Sequence, residues 1–242
     1  MKWMMTLHLH PAGGNESVAP IDEYLATLGE AVRVIAAERL DPHEAATLSA
    51  HGDAPPVVTR EGSALRAVWI LDAPSHAAAV EIARAAPGAA GVLEIRETFT
   101  PQDFGAPPGD PPPPPVIPRK PGTNRYIAFI RSDALSEAGE VPSPDTFAAM
   151  DVYCAKLAAD GAMLGGAGLK TSARGSRVRR AAAQRFVLDG PFTESKELVG
   201  GYMLLQMPSL DAAVDAVRPW LRIHRDHRLV PSSVIEVRRL LE

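Results

Sequence analysis

Cysteine is almost absent from this chain. Cys154 is the only one among 242 residues, which excludes an internal disulfide and a multi-cysteine zinc site. Its place in the helical pattern "FAAMDVYCAKLAADG" fits a small buried residue better than a nucleophile. Aromatic residues are scarce at 5%, and none interrupts the basic run "KTSARGSRVRRAAAQR" from Lys170 to Arg185. With no ring there to stack a base, the run reads as a charged exposed hairpin with Arg177 and Arg179 on one strand face. The net charge of −4 argues against coating nucleic acid or an anionic membrane, so neither is an expected partner. No apolar stretch approaches the roughly 18 to 20 residues that span a bilayer, and "MKWMMTLHLHP" lacks a small-residue cleavage site. A soluble, cytoplasmic protein is the expectation. Walker, Rossmann, nucleophile-elbow and zinc-finger spacings are missing, so no cofactor is implied. His8 and His10 share a strand face at a spacing two metal ligands can use, but no third ligand stands near them, and no metal is expected. The stretch "HRDH", His224 to His227, reads as a solvated connection after the last helix.

Proline, by contrast, is concentrated. Residues 100–122 hold 10 prolines in 23 positions, a composition that favours a semi-rigid polyproline spacer. The expected organisation is therefore a domain over residues 1–99, a linker over 100–122 and a second domain over 123–242. Charge divides between them: residues 1–99 carry 7 Lys and Arg against 13 Asp and Glu, whereas residues 123–242 carry 16 against 14. Opposite signs favour docking of the two halves.

The halves also repeat each other. "WMMTLHLH" from Trp3 aligns with "YIAFIRSD" from Tyr126, and "AVWILDAPSHAAAVEIA" from Ala67 aligns without a gap with "GYMLLQMPSLDAAVDAV" from Gly201. In the second pair a strand leads into a helix with Ser75 or Ser209 as N-cap. Between these blocks, "IDEYLATLGEAVRVIAAE" and "PDTFAAMDVYCAKLAAD" read as helices, with Leu25, Leu28, Val32 and Ile35 on one face and Phe147, Met150, Cys154 and Leu157 on the other's. Both halves close with a strand, "VLEIRE" or "VIEVRR".

That order predicts an α+β fold of two tandem ferredoxin-like (split βαβ) domains, each an antiparallel sheet with helices on one face. Alternation along the first strand sends Trp3, Met5, Leu7 and Leu9 toward the helices and Met4, Thr6, His8 and His10 to the other side, where the second half sends Ile127, Phe129 and Arg131. An open face carrying Met4, Ile127 and Phe129 needs a partner. The expected partner is the sibling domain, packed sheet to sheet as a pseudo-dimeric α/β barrel, with a homodimer of whole chains also allowed.

The run "SRVRRAAAQRFVLDGPFTESKELVGGYMLLQMPSLDAAVDAV" closely resembles the YCII-related family, and its DGPF branch in particular, through Asp189 to Phe192. The first half resembles the same family through element order and "APSHAAAV" alone. The resemblance implies ferredoxin-like domains that pair as an α/β barrel, with a ligand or active site at the pairing cleft. The histidine that some members carry on the first helix is replaced by Met150, and by Thr27 in the first half, so its acid-base role does not transfer. The first half also lacks a counterpart of "PFTESK".

In "DGPFTESKE" the turn itself explains Asp189, Gly190 and Pro191. Glu194, Lys196 and Glu197 are not needed by a turn, and two carboxylates beside an ammonium can hold a polar ligand. The expected function is binding of a small molecule, with catalysis left open, in one cleft between the repeats. Its candidate residues are Asp189, Glu194, Lys196 and Glu197, with Arg131 and Tyr202 as walls. The alternative is a regulatory module with a protein partner, since DGPF-type proteins are linked to sigma factors and transcription initiation.

Overall fold

The computed structural model describes residues 1–9, 18–29, 32–52, 54–88, 91–105, 117–181, 184–192, 198–228 and 232–241. The first half runs β1 (Lys2–His8), α1 (Ala19–Ala26), β2 (Arg33–His51), β3 (Val57–Thr59), β4 (Leu65–Asp72), α2 (His76–Ala85) and β5 (Gly91–Glu97). The second runs β6 (Asn124–Arg131), α3 (Ala134–Glu137), α4 (Pro144–Ala159), β7 (Met163–Gly168), β8 (Ser176–Ala181), β9 (Gln184–Asp189), β10 (Val199–Met207), α5 (Leu210–Arg228) and β11 (Ser232–Leu241). This is a mixed α+β fold dominated by one antiparallel sheet. No helix among the described residues is long and apolar enough to cross a membrane.

Strand order along the sheet is β7-β10-β6-β11-β2-β4-β1-β5-β8-β9, with β3 beside β2. Within the first half the order is therefore β2-β4-β1-β5, and within the second it is β7-β10-β6-β11. The halves join where β2 pairs with β11. They join again beyond β5 and β7, where Thr98 and Leu169 form a bridge and the Lys170 amide donates to the Glu97 carbonyl at 2.9 Å. The hairpin β8–β9 leaves its own half and pairs with β5.

Three apolar clusters follow from the two-residue alternation of the strands. Trp3, Met5, Leu7 and Leu9 pack beneath α1 and α2. Tyr126, Ala128, Ile130 and Met203 pack beneath α4 and α5. The third cluster draws on both halves, combining Met4, Val68 and Ile70 with Ile127, Phe129 and Tyr202. Ser75 caps α2, accepting from the Ala78 amide at 3.2 Å, and the Ser209 hydroxyl accepts from the Ala212 amide at the start of α5.

Two local expectations need correction. The helix expected over residues 21–38 stops at Ala26, and β2 begins at Arg33. Gly29 lies just beyond it with φ +62°, a conformation that stops helices, and Val32, Val34 and Ile35 are β-branched residues that suit a strand. The apolar spacing that mimicked a helix arises from two elements read as one. "HRDH" is not a connection: it lies in the last turns of α5.

Candidate functional site

The helix α4 is well specified. Ser143 caps it by accepting from the Thr146 amide, and Pro144 opens its first turn. It crosses the sheet where β7 and β10 are made of glycine. Cross-strand partners Gly201 and Gly168, then Met203 and Gly166, point to the helix, and three of these four have no side chain to fill the space. Beneath α4 lies a cavity of about 620 Å³, roofed by Phe147, Met150 and Cys154, within the range of about 300–1,000 Å³ usual for ligand sites. Its glycine floor is tightly defined, since a Cβ on Gly166 would stand 2.6 Å from the Tyr202 carbonyl oxygen.

The start of the proline-rich segment builds one wall. Rather than an extended spacer, Pro101–Phe104 is a 3-10 turn, closed by reciprocal Thr100 and Asp103 bonds. Phe99 stacks tilted on Phe104 at 5.3 Å between centroids, and Phe104 meets Phe147 edge-on at 4.9 Å. Tyr202 and Trp220 also line the cavity. Five of the chain's 13 aromatic residues thus surround one space.

Its polar lining is largely tied down. Lys170 bridges Glu97 at 2.8 Å and Asp103 at 2.6 Å, and Arg174 reaches Glu97 at 2.8 Å. Burial alone would lower the Lys170 pKa, but these two carboxylates raise it. The His224 ring is held at both nitrogens, Nε2 to Asp133 Oδ2 at 3.2 Å and Nδ1 to Ser233 Oγ at 3.0 Å. Burial, aided by Asp151, pushes the Cys154 thiol up, so it remains protonated and a poor nucleophile. Burial also pushes the Tyr202 phenol up to about 12, which leaves it a neutral hydrogen-bonding group.

The basic run does not form a charged exposed hairpin. Pairing of β8 with the acid-bearing β5 draws it inward: Arg177 bonds Glu94 at 2.8 Å, and the buried Arg180 donates to the Pro87 carbonyl at 2.5 Å. Burial lowers the Arg180 pKa to about 10. Arg179 alone of the β8 arginines stays exposed.

Where the two halves meet, the closing strands place the same pattern twice. "VLEIRE" gives buried Glu94 and Arg96, 3.4 Å apart, and "VIEVRR" gives buried Glu236 and Arg238, 3.1 Å apart. Each carboxylate takes a second arginine, Arg177 on Glu94 and Arg131 on Glu236. Burial would raise the Glu236 pKa, but Arg131, the Ser63 amide and Arg238 outweigh it and hold the carboxyl below its usual value. His8 responds to both groups and bonds Thr6 Oγ1 at 3.1 Å. Burial lowers its pKa from the usual 6.5. A histidine held neutral in the fold protonates first in the unfolded chain, so its stabilising contribution is complete above about pH 6.5 and is lost as pH falls through the lowered value. Urea titrations should show stability falling on the acid side of 6.5, and His8→Gln should flatten that slope.

The sequence-predicted site residues separate. Arg131 and Tyr202 line the cavity. Asp189 does not: its carboxylate accepts from the buried Ser176 hydroxyl, which also contacts His76 Nε2 at 3.1 Å. Glu194, Lys196 and Glu197 lie outside the described residues, as does His10. The described part of the DGPF turn is anchored to the 3-10 turn Ser172–Arg174. The Gly190 amide donates to the Gly175 carbonyl at 3.0 Å, the Phe192 amide to Ser172 Oγ at 3.1 Å, and the Arg177 guanidinium sits 4.2 Å above the Phe192 ring. Phe99, Phe104 and Asp133 escaped the sequence reading, and His224, read there as part of a solvated connection, turns inward to Asp133 and Ser233. The clustered glycines of "LGGAGL" and "VGGYM" were the available signal for the cavity, because a strand without side chains leaves space beneath its helix.

Residues 126–241 match the family described as YCII-related domain. The second half of this chain is therefore similar to the YCII-related family. All the second-half strands, and the helices α3, α4 and α5, fall wholly or almost wholly within that match. The cavity draws on the matched segment and on Phe99 to Phe104, which precede it. No curated protein matches the chain.

Proposed function

We propose that this protein binds one small, largely apolar molecule per chain in the cavity beneath α4. In this reading the chain is a tandem of two ferredoxin-like YCII-type domains closed sheet to sheet as a pseudo-dimeric barrel, the second of the DGPF branch. The observation that carries the binding proposal is the concentration of five aromatic residues in the lining of a 620 Å³ cavity with a glycine floor. A flat apolar body fits between Phe147, Phe104 and Met150. Binding is favoured over catalysis because the two reactive side chains in the wall are committed, Cys154 as a protonated thiol and His224 to Asp133 and Ser233.

One site per chain follows from the mismatch between the halves. In the gap-free alignment, the position of Met203 on the cavity floor corresponds to Trp69. The Trp69 side chain is fully buried and its Nε1 donates to Asp22 at 2.7 Å, filling the equivalent space. Native mass spectrometry of the purified protein is expected to show one bound molecule per chain. Met203→Trp should abolish that species while leaving the circular dichroism spectrum unchanged. Two equivalent sites per chain, or full retention of the ligand by Met203→Trp, would remove the cavity from the function.

A further inference from the structure

β9 ends the described sheet. On one side it pairs with β8, and no described strand pairs with its other edge. Edge strands are ordinarily shielded by proline, lysine or a bulge. β9 has none of these, and it exposes three consecutive large apolar residues, Phe186 at 50%, Val187 at 43% and Leu188 at 61%. The direction of its free backbone groups can be read from the register. The Gly190 amide donates to the Gly175 carbonyl, its direct partner when the β8–β9 register is extended by one residue. Alternation then turns the amides and carbonyls of Leu188 and Phe186 toward β8, and those of Asp189, Val187 and Arg185 outward.

We propose that two copies of this chain pair β9 to β9, antiparallel about a two-fold axis through Val187, so that the sheet continues from one molecule into the other. The segment "RFVLD", Arg185 to Asp189, is complementary to itself in that orientation. Val187 meets its own copy, Phe186 meets Leu188, and Arg185 meets Asp189 with opposite charge. The residues so paired, Arg185, Val187 and Asp189, are those whose backbone groups point outward, and each such pair exchanges two hydrogen bonds. Charge complementarity sets the register, because a one-residue slip separates Arg185 from Asp189 and turns the outward groups out of phase. A symmetric interface of this kind closes at two subunits and leaves no further β9 edge.

Sedimentation of the full chain tests this, with a monomer mass of 25.8 kDa as reference. The wild type is expected at twice that mass. Val187→Pro removes an outward amide that makes no bond to β8, a substitution edge strands tolerate, and should halve the mass with an unchanged circular dichroism spectrum. Independently of that variant's folding, Val187→Cys in a Cys154→Ser background should form a disulfide-linked dimer on mild oxidation. The two Cα atoms of a hydrogen-bonded antiparallel pair stand about 5.5 Å apart, within disulfide reach. Val152→Cys, on the exposed side of α4, should cross-link at least about tenfold more slowly, because it relies on chance collision. A wild type that sediments as a monomer at every loading concentration overturns the proposal, and so does equal cross-linking at positions 187 and 152.

Discussion

Glu236→Ala is expected to destabilise the protein by about 3–5 kcal/mol, the usual consequence of removing one partner from a buried ion pair. The Glu236 and Arg238 side chains are each 1% exposed. Glu236 also accepts from the Ser63 amide at 2.9 Å and pairs with Arg131. Its removal takes the carboxylate from two arginines and the side-chain acceptor from the Ser63 amide, where water cannot easily replace it; Arg238 keeps the Ser63, Leu65 and Asp41 carbonyls. Asp215→Ala is the natural control: its bridge to Arg218 is as short, at 2.9 Å, but 72% of the Asp215 side chain is exposed, and the loss should stay within about 0.5 kcal/mol. Urea midpoints at constant m-value report both. Acid titration gives a second readout. A carboxyl with a depressed pKa contributes stability that is complete above its unfolded value of 4.5 and is lost as pH falls through the folded one. That portion of the acid-induced loss should be missing from Glu236→Ala.

Gly190→Ala is the second large effect, with an expected cost at the upper end of the roughly 1–3 kcal/mol typical of overpacking, or beyond it. A Cβ at this position would lie 1.8 Å from the Ser172 carbonyl oxygen and 2.6 Å from its carbon. Neither atom is the flexible end of a side chain, so the Ser172–Arg174 turn must move. That turn anchors Phe192 and contributes Arg174 to the cavity wall, so ligand retention should fall together with the melting temperature. Gly105→Ala supplies the contrast. Gly105 has φ +83°, and a methyl group there would meet nothing within 4 Å, so its cost is conformational alone, about 1 kcal/mol, and should leave ligand retention intact. Equal losses from the two substitutions would show that Gly190 serves only as a permissive turn residue.

The contrast at Gly190 marks where sequence reading stops. Glycine before proline is legible as a turn, and a turn is what the chain makes there. The reason glycine is required is a carbonyl 18 residues upstream, and the φ of Gly190 lies outside the left-handed region. Local periodicity was enough for the alternating face of β1, the helix α4, and the N-caps at Ser75 and Ser209, because each depends on residues within four positions of one another. It misled at α1, where apolar residues of a helix and a following strand fell at helical spacing by coincidence. It was silent on the destination of β8–β9. A strand's own sequence specifies which face is apolar, but not which edge will receive it, and pairing with β5 turned a seemingly solvated basic run into partners for Glu94 and Glu97. The sequence by itself determined the α+β element order, the likeness of the second half to the YCII-related family and the residues available for burial. Tertiary structure alone decided that Phe99 and Phe104 should close a cavity whose floor is glycine, and that His224 should turn inward to Asp133. Such contacts join residues dozens of positions apart, and only chain closure, not local preference, selects them.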